Sequence, residues 1–149
     1  VAGGYKAIDS LRLEKGYRVW GSDITPDDNP YEAGLGFAVK LDKGDFIGRE
    51  ALLRVKQEGI QRKLCALTLP GEAGVIYGSE PVYADGQVVG SVRSGGFGYT
   101  LKTNIAYAYL PVEHARPGTQ VAVEMFGMQV PALVQKEPLF DPKNERVKC

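Results

Sequence analysis

Histidine occurs once in these 149 residues, tryptophan once and cysteine twice, and the formal net charge is zero. Each scarcity removes a class of function. A zinc site needs clustered Cys, His, Asp or Glu ligands, whereas His114, Cys65 and Cys149 are scattered, so no metal centre is expected. Nucleophilic catalysis by Ser or Cys with His would have to use His114, which stands in the turn-like run PVEHARPG and reads as an exposed loop residue. Cys65 shares a β-rich run with Leu64 and Leu67 and reads as an inert core cysteine. So little cysteine fits a reduced, cytosol-like compartment, and a cytoplasmic location is expected.

A surplus of one charge sign is also missing. Residues 1–60 hold nine Lys/Arg against ten Asp/Glu, and residues 61–149 hold nine against eight. Nucleic-acid binders display a basic patch or stripe, so no nucleic-acid partner is expected. No apolar run approaches the roughly 18–20 residues needed to span a bilayer, and no membrane partner is expected. The chain opens on Val1 and a Val-Ala-Gly-Gly run without a helix cap, which reads as a piece of a longer protein.

Residues 4–16 have few helix breakers and an apolar set that includes Leu11 and Leu13. These two leucines lie about 200° apart on a helix of 3.6 residues per turn. Such a helix must be packed on two sides, and 149 residues offer little to cover both. GSDITPDDNP, Gly21 to Pro30, is turn chemistry, with two prolines and four Asx residues. LGFAVKL, Leu35 to Leu41, reads as a strand, and FIGREALLRVKQEG reads as a helix closed by Gly59 with Ala51, Leu52 and Val55 on one face. Beyond Gln61 the pattern becomes β-rich in seven short segments: RKLCALTL, EPVY, QVVGSVRS, FGYTL, NIAYAYL, TQVAVEMF and MQVPALVQ. Asp85-Gly86 is a strong hairpin signal, and the whole suggests a small closed barrel or sandwich.

The chain has no P-loop, nucleophile elbow or H-E-x-x-H motif. SGGFGYT lacks the third glycine and the following helix of a phosphate cradle, so its glycines read as relief for a bend or barrel corner. The segment Ser10 to Trp20 is denser in chemistry, with Arg12, Glu14, Lys15, Tyr17, Arg18 and Trp20 within eleven residues. Two readings stay open. Helical spacing would pair Arg12 with Asp9 and Arg18 with Glu14. Alternatively, one arginine recognises a carboxylate while Tyr17 or Trp20 stacks on a flat ring.

The runs EKGYR-x-WG-x-D, NP-Y-EAGLGF and FIGREAL, with the tail PLFDPK-x-x-R-V-K, resemble in order and spacing the C-terminal part of the glycine cleavage T-protein (aminomethyltransferase) family. GYRVWG, FGYTLKTNIAYAYLP and that tail resemble most its dimethylglycine oxidase and sarcosine or dimethylglycine dehydrogenase branch. The resemblance implies an α+β fold. Residues 1–60 would be the end of a folate-binding α/β domain (helix, strand, helix), and residues 61–149 a small, mainly antiparallel β-barrel. It implies a flavin-linked N-demethylating oxidoreductase in which a tetrahydrofolate region captures the one-carbon unit. FAD would belong to the parent protein and not to this fragment. The arginine of the family's RLE motif, which helps to hold the folate tail, matches Arg12; Tyr17, Arg18 and Trp20 match nearby family positions, and Arg146, in the tail, matches a region that can border the folate glutamate. No catalytic residue falls within the chain, so the fragment alone is expected to be inactive. Folate and the upstream domains of the same polypeptide are the implied partners.

Three alternatives compete with this reading: a flavin-free aminomethyltransferase, a docking barrel without ligand contacts, and an oligonucleotide-binding barrel. The last would draw on Tyr99, Tyr107 and Tyr109 but lacks a basic groove.

Overall fold

Leu11 and Leu13 divide the first helix between solvent and core. The computed structural model describes residues 3–146 and 148. Helix α1 spans Tyr5–Lys15 and is closed by Gly16, whose φ of 77° is left-handed and suits a residue without Cβ. Leu13 is 2% exposed against the barrel, whereas Leu11 is 57% exposed and shares an open side with Tyr5 and Ile8. One apolar face of the helix is thus covered and the other is not. Burying a leucine of this size contributes about 1.5–3 kcal/mol, which α1 gains on one side only.

Turns and a single 3-10 turn, Gly36–Ala38, fill most of the stretch between α1 and α2. The strand expected over Leu35–Leu41 is therefore corrected to irregular structure. The sheet below is a closed ring with no free edge to accept it, and Gly34 turns the chain with a φ of 73°. Helix α2, Arg49–Glu58, ends at Gly59 as the sequence indicates. None of its residues is buried, and Leu52 and Val55 are only half-covered.

Six strands follow: β1 (Arg62–Leu69), β2 (Pro81–Ala84), β3 (Gln87–Gly98), β4 (Thr103–Pro111), β5 (Gln120–Met125) and β6 (Met128–Gln135). All pairings are antiparallel, and the order β1-β4-β3-β2-β5-β6 closes where β6 meets β1. The α+β class with a terminal antiparallel barrel is as expected. The seven β-rich segments become six strands because FGYTL is divided. Phe97 and Gly98 finish β3, while Thr100 and Leu101 donate their N–H groups to the Glu14 carboxylate at 2.7 and 3.1 Å. Those donors are then withheld from any ladder. The Asp85-Gly86 hairpin forms with both residues at positive φ, 51° and 76°, the signature of a type I′ turn.

Strands β1 and β4 are buried on both faces, which explains their nearly unbroken apolar sequences. Cys65, Leu67 and Leu69 with Ala106, Ala108 and Leu110 fill the barrel. Leu64, Ala66, Ile105, Tyr107 and Tyr109 point outward and form a second cluster with Leu13. The Tyr107 hydroxyl donates to the Leu13 carbonyl at 3.0 Å and fixes α1 on this face. The glycines of SGGFGYT mark close approach more than a corner. A Cβ on Gly98 would lie 2.8 Å from Ile105 and 3.0 Å from Glu14, so α1 sits nearly on the strand backbone.

Candidate functional site

Two aspartates of the GSDITPDDNP loop are buried, and strand β3 holds both. A register shift between Val92 and Ser94 inserts an extra residue into β3 where it pairs with β4. A bulge of this kind re-aims side chains that would otherwise alternate. Arg93 and Ser94, though consecutive, both reach the loop: Arg93 bonds Asp28 at 3.0 Å, and the Ser94 hydroxyl donates to Asp23. The Asp28 carboxylate also accepts from Arg62 at 2.9 Å and from the Thr25 N–H and hydroxyl. Arg62 and Arg93 both lie over the Tyr109 ring, at 4.7 and 5.6 Å from its centroid. Burial pushes the Tyr109 phenol up to about 12, further raised by Asp28 and lowered by the two arginines.

The Asp23 side chain is 1% exposed. One of its oxygens takes the Arg12 guanidinium at 2.5 Å and the Val19 N–H at 2.8 Å, while the other takes Ser94. A buried carboxylate with a cation and two further donors is well satisfied. Arg12 is held by one edge only: its Nε is buried without a hydrogen-bond partner, and the Asp9 carboxylate lies 3.9 Å away. A guanidinium has five N–H donors in a planar fork, so one anchored edge leaves bonding capacity for a second acceptor.

Arg18 organises a neighbouring cleft of about 640 Å³, lined by Lys15, Tyr17, Ile24, Leu35, Phe37 and Pro138 among others. Its guanidinium pairs with Glu137 at 2.6 Å, donates to the Ala33 and Gly16 carbonyls, and lies 5.5 Å from the centre of the Tyr107 ring. Burial raises the Glu137 carboxyl above its ordinary 4.5, with Arg18 opposing that rise. Lys15 is tied to Asp141, donating to its carbonyl at 2.6 Å. The segment after β6 thereby straps the C-terminal end of α1.

The four residues singled out in the sequence do not converge on one cavity. Tyr17 and Arg18 line the same cleft, and Tyr17 is 59% exposed. Arg12 is turned to Asp23. Arg146 borders a separate hollow beside Phe140, over whose ring its guanidinium lies at 5.3 Å. The expected Arg18–Glu14 pair is corrected: Arg18 lies past the helix end and meets Glu137, while Glu14 faces the Thr100 turn. The Arg12–Asp9 pair survives only as the long 3.9 Å contact. His114, expected to be exposed, is half-buried in a turn where its N–H returns to Pro111. Cys65 is buried, and desolvation pushes its thiol up to about 11, as an inert core cysteine requires.

Asp23, Ser94 and Glu137 were missed by sequence reasoning. Asp23 looks like any turn aspartate, and Ser94 and Glu137 meet their partners only across the fold. The one available signal was an excess of carboxylates in a loop beside two arginines. Among the described residues, no helix is long and apolar enough to cross a membrane.

Residues 62–141 match the model of the glycine cleavage T-protein C-terminal barrel domain, and residues 1–43 match that of the GCVT N-terminal domain. The chain is 44% identical over 137 residues to the mitochondrial dimethylglycine dehydrogenase of Mus musculus, covering 91% of this chain and 16% of that protein. It is 43% identical over 156 residues to the mitochondrial sarcosine dehydrogenase of Mus musculus, covering 99% and 17%. Among solved structures it is similar to the glycine cleavage system aminomethyltransferase T from Bartonella henselae, with a TM-score of 0.84 and 34% identity over 91% of this chain and 38% of that one. The chain spans less than a fifth of the length of these dehydrogenases.

Proposed function

Since this chain belongs to the glycine cleavage T-protein family, we propose that it is the folate-side end of a larger flavin-linked, N-demethylating oxidoreductase of the dimethylglycine or sarcosine type. In that reading residues 1–60 close a folate-binding domain and residues 61–149 form a separate barrel domain. The observation that carries it is the succession of the two family matches, 1–43 and then 62–141, in a chain with dehydrogenase relatives several times longer.

Arg12 fits a folate tail. Tetrahydrofolate ends in a glutamyl carboxylate, and Arg12 is oriented by Asp23 through one guanidinium nitrogen, which leaves donor capacity on the planar fork. Tyr17 and Arg18, beside the same helix end, would border the ligand; Arg146, next to Phe140, would contribute least. When bound, tetrahydrofolate accepts the one-carbon unit. This chain's residues would orient and enclose it, and the groups that perform the transfer would lie outside the chain. The flavin would likewise be held elsewhere, since no dinucleotide fingerprint occurs here. Upstream parts of the same polypeptide are the proposed cover for Tyr5, Ile8 and Leu11 on α1, and for the wholly exposed Ile47.

A second reading, a flavin-free aminomethyltransferase, draws on the likeness to the Bartonella henselae protein. The complete gene product separates the two by intact mass and visible absorption. A chain several times this length with flavin bands supports the demethylating enzyme. A colourless protein of about two to three times this length moves the reading to the aminomethyltransferase. A colourless product of this length alone overturns both.

A further inference from the structure

Resting on the folate reading of Arg12, we infer that Ser94, a residue of the barrel, positions Arg12 for its ligand through Asp23. The barrel then tunes the binding site across a domain boundary without touching the ligand.

Three observations lead there. Asp23 is the one hydrogen-bonded anchor that Arg12 has among the described residues, and at 1% side-chain exposure it is not moved by solvent. The Asp23 carboxylate is itself held from two directions, by the Val19 N–H in its own loop and by the Ser94 hydroxyl on β3. Only the second of these belongs to the barrel. Finally, the β3 bulge aims Ser94 at the loop together with Arg93, and straightening the strand would turn one of the two away.

The chemistry gives Ser94 a definite task. A carboxylate rotates about its Cβ–Cγ bond unless both oxygens are held. With Ser94 on one oxygen and Arg12 plus Val19 on the other, the carboxylate plane is fixed, and with it the edge that grips Arg12. Without the hydroxyl, Asp23 keeps its charge and its attraction for Arg12 but loses the constraint on direction. Arg12 would remain buried beside a negative partner, but one buried oxygen of Asp23 would lose its only donor among the described residues, so stability falls as well as the aim of Arg12's free edge.

The test is a double-mutant cycle on the complete parent protein, with tetrahydrofolate affinity measured by titration calorimetry and the thermal midpoint as a control. Arg12→Ala should weaken binding about 5-fold or more, and Ser94→Ala about 3- to 10-fold at a temperature well below its lowered thermal midpoint, where the variant is fully folded. Ser94→Thr, which keeps the hydroxyl, should restore binding to within about 2-fold of the parent protein. In the Arg12→Ala background, Ser94→Ala should have no further effect, because its influence passes through Arg12. Asp23→Asn serves as a second route to the same point and should match Ser94→Ala or exceed it. Should Arg12→Ala weaken binding while Ser94→Ala and Asp23→Asn do not, the relay is wrong and the folate reading stands. An equal loss from Ser94→Ala in both backgrounds also overturns the relay. A parent protein that fails to bind tetrahydrofolate overturns both.

Discussion

Arg18 and Glu137 meet at 2.6 Å and join the turn after α1 to the segment that leaves β6. The pair lies against Tyr107, and burial raises the Tyr107 phenol above its ordinary value. A charged pair in such a place is costly to desolvate, and the raised Glu137 carboxyl records that cost.

A pH dependence follows from the direction of that shift. Glu137 has a higher pKa folded than unfolded, so its contribution to stability is fully present below about 4.5 and is lost as pH rises through the folded value. Glu137→Gln abolishes this titration. Urea midpoints of the two proteins at pH 5 and pH 7.5 should show the variant gaining on the parent protein as pH rises. An identical difference at both pH values would contradict the assignment.

Cys65 should be chemically silent. Its thiol is buried in the barrel and raised to about 11 by desolvation, so almost none is thiolate at neutral pH. In a Cys149→Ser variant, a disulfide reagent at pH 7.5 should find no fast-reacting thiol in the folded protein and one equivalent after denaturation. Fast labelling of the folded protein would mean that the barrel opens readily at β1.

Gly90 should tolerate no side chain. A Cβ there would be driven into the backbone carbonyl oxygen of Tyr109 on β4, which unlike a side chain cannot swing aside. Gly90→Ala should cost about 3 kcal/mol, the upper part of the range for overpacking, read from urea unfolding. An unchanged midpoint would contradict this close approach of β3 to β4.

Much of this fold could be read from the sequence because local and long-range signals agree. α2 closes at Gly59 as its pattern indicates, and Asp85-Gly86 forms its hairpin because two positive φ values suit that pair. The errors share a physical cause, since each depended on a partner far along the chain. Leu35 to Leu41 carries strand-like residues, but a closed barrel offers no edge for them. Tyr99 to Lys102 would have continued a strand had Glu14 not taken two of its N–H groups. Arg18 and Glu14 have helical spacing, yet Gly16 ends the helix between them. In the candidate site the arginines were visible and their carboxylates were not. Asp23 and Asp28 look like turn formers until the β3 bulge brings Ser94 and Arg93 to them.

If Arg12 holds a folate carboxylate as proposed, the tetrahydrofolate dissociation constants of the complete parent protein and of its Arg12→Ala variant must differ. Loss of a charge-assisted bond should weaken binding by about 1–3 kcal/mol, roughly 5- to 150-fold. Equal affinities would contradict that role, leaving Arg12 as a structural partner of Asp23 alone.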